Sequence, residues 1–254
     1  VAYSKTYRYP AYTGLPDRTV QASEGSVSAL EGTLVELALK PDQPVDGGSL
    51  ALLLGKGGME LPLEKGEGDA GLLHARFELT EAGAYTVRLR ASETGLKSAS
   101  GPQHSIQIEL DAPPNLTLEI PAADLVLPLG QKVVLEGRAE DDFGLASVVL
   151  EVRRNEAGWE HQPIATAAGR QLAIQTPLDA LVYKARPGDV LGVRFAAFDA
   201  RGQRGESRIL RISIAAPGTV AAPDRGLAGQ RALHKQTKEL ATESAEAVAA
   251  LEKL

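Results

Sequence analysis

The side chains best suited to chemistry in this 254-residue chain are carboxylates: Glu140, Asp141 and Asp142 in succession, and Asp199 in "FDARGQ". Gathered at strand corners, they could present the hard oxygen ligands that Ca²⁺ takes. Asp is also a turn former, because its side chain accepts hydrogen bonds from the backbone just beyond it. Asp141, Asp142 and Asp199 are therefore the candidate metal ligands, turn closure is their expected role, and no metal is expected. "DDFG" (Asp141–Gly144) contains a kinase tripeptide, but the Gly-rich loop, the catalytic-loop signature and the Lys-bearing strand of that set are missing. It is expected to be a turn separating two strands. "GKGG" (Gly55–Gly58) lacks the upstream Gly and the Ser/Thr of a phosphate-binding loop, and fits a hairpin loop. The histidines His74, His104, His161 and His234 are dispersed, with no pair at helical spacing, and no G-x-S-x-G elbow occurs. The chain has no cysteine, which excludes disulfides, Cys-bound metal and thiol catalysis. No catalytic residue, enzyme activity or cofactor is expected.

Aromatic side chains are the other candidates. Trp159 follows the turn "NEAG", and four of the six tyrosines, Tyr3, Tyr7, Tyr9 and Tyr12, fall in the first dozen residues. Tyr9, Tyr12 and Trp159 would be the contact residues of a surface adhesin or carbohydrate-binding module. Against that stands the frequency of Tyr in sheets. The N-terminal tyrosines are expected on an edge strand, with their rings on the margin of the fold, and Thr13-Gly14-Leu15-Pro16 is expected to turn the chain into a strand at Arg18–Ala22.

Most of the chain that must position these residues reads as strand. Thr33–Lys40, Ser49–Leu54, Leu72–Leu79, Ala84–Ala91 and His104–Leu110 are short apolar or alternating runs bounded by Gly, Pro, Asp or Ser. In "AYTVRLRA", Tyr85, Val87 and Leu89 take one face and Thr86, Arg88 and Arg90 the other. "DAPPN" (Asp111–Asn115) interrupts the series, since two prolines cannot continue a ladder. A similar series follows, at Gln131–Ala139, Ala146–Arg154, Gln171–Thr176, Asp189–Asp199 and Ser207–Ile214. "EGTLVEL" from Glu31 parallels "LGQKVVL" from Leu129, and "GAYTVRLRA" from Gly83 parallels "GDVLGVRFAA" from Gly188. Strands at even spacing without helices between them predict an all-β fold of two tandem Ig-like antiparallel sandwiches, 1–112 and 113–217.

Residues 218–254 have a different texture. "AAPGTVAAP" is a linker, and the proline-free run from Ala228 is rich in Ala, Leu, Glu and Lys, good helix formers. Leu233, Thr237, Leu240, Ser244, Ala247, Leu251 and Leu254 keep heptad spacing, so a C-terminal helix starting a coiled coil is expected. Leu233, Leu240, Ala247, Leu251 and Leu254 would be its contacts with a partner or a second copy. Hydrophobic residues make up 43% of the chain and charged residues 24%, the composition of a folded protein. Lys and Arg number 27 against 33 Asp and Glu, which argues against nucleic acid as a partner. No apolar run reaches a membrane-spanning length.

The motifs "YPAYTGLPDRTV", "ALEGTLVEL", "AGAYTVRLRASETG" and "AEDDFGLASVVLEV", followed by a helical tail, resemble the large bacterial envelope proteins of domain-of-unknown-function family 4175. The resemblance implies transmembrane helices upstream, tandem Ig-like repeats and long coiled coils. It also implies a place on the periplasmic or other extracytoplasmic side of the envelope, attachment to the membrane through segments outside this chain, and other envelope proteins as partners. It brings no catalytic residues with it. A non-catalytic structural or interaction module is the function these readings point to.

Overall fold

The structure is a computed structural model that describes residues 1–66, 71–92 and 101–219. The chain divides into two compact units, Val1–Ala112 and Pro113–Leu254. The first contains β1 (Ala2–Arg8), a 3-10 turn (Ala11–Thr13), β2 (Arg18–Ala22), β3 (Val27–Leu30), β4 (Leu34–Lys40), β5 (Val45–Leu54), β6 (Gly57–Lys65), β7 (Leu73–Glu78), β8 (Gly83–Ala91) and β9 (Gln103–Glu109). Its strands run in the order β2-β1-β4-β7-β6-β5-β8-β9-β3. Strand β6 joins the two layers: Gly57–Leu63 pairs with β5, while Glu64 and Lys65 pair with β7.

Period-two alternation decides which side chains enter the core. In β1, Tyr3, Lys5 and Tyr7 face inward and Ser4 and Thr6 outward. In β4 the buried set is Val35, Leu37 and Leu39, and in β8 it includes Tyr85 and Val87. The N-terminal tyrosines are therefore not on an edge. Strand β2 takes the edge and β1 lies between β2 and β4, so Tyr3 and Tyr7 pack into the core rather than on the margin. The "TGLP" turn does lead into β2. Thr13 Oγ1 donates to the Pro10 carbonyl at 2.8 Å and accepts from the Leu15 N–H at 3.1 Å, while Gly14 takes the left-handed conformation at φ 63°.

Lys5 is 7% exposed, and its amine donates to the carbonyls of Glu24 (3.1 Å) and Ser26 (2.7 Å). Those carbonyls lie on the segment that carries the chain from β2 in one layer to β3 in the other. Burial pushes the Lys5 amine below its ordinary pKa, with Glu24 opposing that shift.

The second unit contains β10 (Asn115–Ile120), β11 (Leu125–Pro128), β12 (Lys132–Arg154), β13 (Glu160–Asp179), β14 (Val190–Asp199), β15 (Arg204–Glu206) and β16 (Leu210–Ala215). The expected break at "DDFG" is absent. Strand β12 runs through it for 23 residues and changes register between Glu140 and Leu145. Its first half lies between β10 and the end of β13, and its second half between the start of β13 and β14. One long hairpin thus contributes to both layers, bending where Asp141 Oδ1 accepts from the N–H groups of Phe143 and Gly144 and where Gly144 reaches φ 125°.

Both units are all-β and share a topology. A strand near the start pairs in parallel with the last strand, β3 with β9 and β11 with β16, and the neighbours of that last strand are antiparallel. Gly32 and Gly130 turn the chain into β4 and β12 with φ of 80° and 92°. These are immunoglobulin-like sandwiches, each with its own apolar core among the described residues.

Candidate interaction surface

The outward face of β12, β14 and β15 carries a connected set of polar and aromatic side chains. Alternation turns Val148, Leu150 and Val152 into the core and Glu151 and Arg153 out. The register sets Glu151 beside Arg194 and His161, Arg153 beside Gly192, and Glu206 beside Ala196. Glu151 points away from the core yet its side chain is 1% exposed, because the arginines close over it. Arg194 Nε donates to its carboxylate at 2.6 Å, and Arg204 Nη2 to both oxygens at 2.9 and 2.7 Å. Glu206 binds the same two arginines at 2.6 and 2.5 Å, and His161 Nδ1 lies 3.3 Å from Glu151. Glu151, Arg194, Glu206 and Arg204 form a closed ring of alternating charge. Burial works against the Glu151 carboxylate, but the Arg204 and Arg194 hydrogen bonds outweigh it and hold its pKa below the usual carboxylate range.

Trp159, half-buried, completes the surface. The guanidinium of Arg194 lies 4.1 Å from its ring centroid and that of Arg153 4.8 Å, both within cation–π range. Gly192 leaves the space Arg153 occupies: a Cβ there would come within 3.1 Å of Arg153 Nε. Ile209, just before β16 and beside Gly192, is 39% exposed, and on the sheet Val126 and Val190, which flank Ser213 in one transverse row, are 50% and 37% exposed.

The other sequence candidates lie elsewhere. Asp141 closes its own turn through Oδ1 while its Oδ2 is buried without a hydrogen-bond partner, and Asp142 is exposed. Asp199 accepts from the Gln203 N–H at 2.7 Å and from its side-chain amide at 3.1 Å. The register sets Asp199 opposite Leu145, just past the "DDFG" bend, but among the described residues no group of three His, Asp or Glu side chains is gathered to hold a metal ion. Tyr9 and Tyr12 are half-buried in the first unit, Tyr9 with its ring 6.5 Å from that of Tyr7, so they and Trp159 fall in different units. Leu233, Leu240, Ala247, Leu251 and Leu254, with the expected helix, lie outside the described residues. Sequence reasoning reached Trp159 but missed Glu151, Arg194, Arg204 and Glu206. The alternation in "VLEVRR" and "VRFAAF" marks the first two as outward-facing, but nothing local marks their pairing.

The chain matches no protein-family model and no curated protein sequence. Among solved structures it is similar to the fibronectin(III)-like modules of Clostridium thermocellum CbhA, at 15% identity over 77% of this chain and 92% of that one, TM-score 0.27. It is also similar to a 1.5-MDa bacterial ice-binding adhesin, at 8% identity over 72% and 58% of the two chains, TM-score 0.41. A third is the FN1–FN3 domains of chicken CNTN1, at 13% identity over 74% and 64%, TM-score 0.27.

Proposed function

We propose that this chain is a non-catalytic interaction module of a bacterial membrane-anchored envelope protein, and that it meets a protein partner through the Trp159 face of its second sandwich. The observation that carries the proposal is the composition and preorganisation of that face. Interface centres are enriched in Trp and Arg, and energetic anchors cluster where such side chains are held rigid. Here Trp159 rests against Arg153 and Arg194, Arg194 is locked by the buried Glu151, and Val126 and Val190 on the same sheet and Ile209 beside Gly192 add apolar area. The buried polar groups Lys5, His104, Glu151 and Asp199 are meanwhile committed to bonds within their own unit. In this reading the heptad stripe from Leu233 to Leu254 extends the module as a coiled coil, a part supported by its spacing alone. The envelope location and membrane attachment rest on the motif resemblance.

The test is site-specific photo-crosslinking of the full-length protein in its native envelope. A photoreactive residue at position 126 or 190 should give a discrete protein adduct, which the Trp159→Ala, Ile209→Asp double variant abolishes. Adducts arising only from the opposite layer, for example from position 117 on β10, would overturn the assignment.

A further inference from the structure

The first unit carries a second, chemically different surface that does not depend on the Trp159 reading. Its β2-β1-β4-β7 layer, with the end of β6, is hollowed on the solvent side into two depressions of about 800 and 430 Å³ that share Glu36 and His74. Register explains the hollow. One transverse row runs Gln21, Ser4, Ala38, His74, Glu64 across five strands. At an interstrand spacing of roughly 4.8 Å, that row is about 19 Å long. The next row runs Thr19, Thr6, Glu36, Arg76. Ser4, Thr6 and Ala38 keep the floor low on β1 and β4, while Glu36, His74 and Arg76 stand on β4 and β7 and Lys40 and Lys65 are exposed at the rim.

The chemistry of the hollow narrows its occupant. Its floor is hydroxyl and methyl rather than aromatic: Gln21 Nε2 donates to Ser4 Oγ at 2.8 Å, and the hydroxyls of Thr6 and Thr19 lie 2.9 Å apart. The two rows themselves hold no large apolar side chain, and Leu61, Pro62 and Leu72 line the hollow outside them, a more polar centre than that of a protein–protein interface. A depression this long and shallow does not enclose a compact small molecule either. Its lining has the opposite charge balance to the chain: Lys40, Lys65 and Arg76 against Glu36 and Glu64, where the whole chain has net charge −6. Arg76 and Arg8 are both bound to Glu36, at 2.5 and 2.9 Å, so the charges left to meet a ligand are Lys40 and Lys65 against Glu64. An extended ligand with many hydroxyls and spaced negative charges fits these features. We infer that the outer face of the β2-β1-β4-β7 layer is a binding groove for an acidic polysaccharide, one carrying carboxylated sugars, laid across the strands.

The experiment is calorimetric titration of the 254-residue chain with an oligogalacturonate, with neutral dextran and double-stranded DNA as comparisons. Binding of the oligogalacturonate alone is expected. Lys40→Glu, Lys65→Glu, on the exposed rim, should weaken it at least tenfold, and Ala38→Trp, which fills the floor, should abolish it while thermal melting shows the fold retained. Should Ala38→Trp unfold the unit, the rim double variant decides. No oligogalacturonate binding, equal binding of dextran, equal binding of DNA, or binding untouched by a folded variant would each overturn the inference.

Discussion

The Glu151 carboxylate faces outward from its strand and meets almost no water, since Arg194 and Arg204 cover it. Removing one member of a buried pair strands the charge of the other, which costs about 3–5 kcal/mol. Arg204 is 34% exposed and water can reach it, so Glu151→Ala is expected to cost roughly 3 kcal/mol, the low end of that range. Urea denaturation measures it, and a loss below about 1 kcal/mol would place the ring among ordinary surface pairs. The same residue has a pH signature. A carboxyl whose folded pKa is depressed adds stability that is present above its unfolded value, about 4.3, and is lost as pH falls through the lower folded value. Acid unfolding of the second unit should thus be less steep in Glu151→Gln. His104 predicts the corresponding behaviour in the first unit. It is 5% exposed and shares a 2.8 Å hydrogen bond with the Tyr3 hydroxyl. Burial is the main cause holding its pKa below the ordinary value, Glu24 opposes it and Lys5 adds to it. The folded unit therefore binds the proton less readily than the unfolded chain, and stability falls as pH drops below about 6.5. The urea midpoint followed from pH 8 downward should show this in the wild-type chain, and His104→Gln should flatten it.

The β2–β3 crossover and the β12 hairpin carry the chain between layers by different means, and each has a weak point. The β2–β3 crossover is held by Lys5, whose amine satisfies the Glu24 and Ser26 carbonyls. Lys5→Met keeps the aliphatic stem and leaves those carbonyls without that donor, at a cost of about 1–3 kcal/mol. Faster amide exchange confined to residues near 23–26 would locate the damage there, whereas uniform loss of protection would contradict a local role. The β12 hairpin instead changes layers by bending at "DDFG". Gly144 at φ 125° occupies backbone space that a side chain resists, so Gly144→Ala is expected to lower stability by about 1–3 kcal/mol. A melting temperature equal to wild type would mean that the bend relaxes without strain.

At the scale of the molecule, each unit has its own core. One centres on Val35, Leu37, Leu50, Tyr85 and Ile106, the other on Leu135, Leu150, Val193, Phe195 and Ile212. Residues 1–112 and 113–219 expressed separately should each melt cooperatively with strand-type circular dichroism, as small domains with independent cores do. A half that stays unfolded alone would show that its core is completed by the other. The functional readings divide in the same way: the Trp159 face belongs to the second unit and the polar groove to the first, so separated units would allow each to be tested alone.

Which residues face inward was legible in the chain itself. The alternation in "AYTVRLRA" separates buried Tyr85 and Val87 from Arg88 and Arg90 on the outer side, and the shared punctuation of "EGTLVEL" and "LGQKVVL" falls on Gly32 and Gly130, which the structure places at positive φ, because both signals act over a few residues. The repeat of these signals also exposed the matching order of strands in the two halves. What lies beside each strand was decided only in three dimensions. The sequence placed the tyrosines on an edge, yet β2 folds back outside β1 and puts Tyr3 and Tyr7 in the core. "DDFG" has the composition of a turn, yet pairing on both sides of β12 carries the strand through it. The charge ring joins residues 151, 194, 204 and 206, and the groove joins residues 4, 21, 38, 64 and 74. Hydrophobic period is a property of one strand, whereas register is a property of two strands distant in sequence. Surfaces assembled across several strands exist only once the sheets have closed.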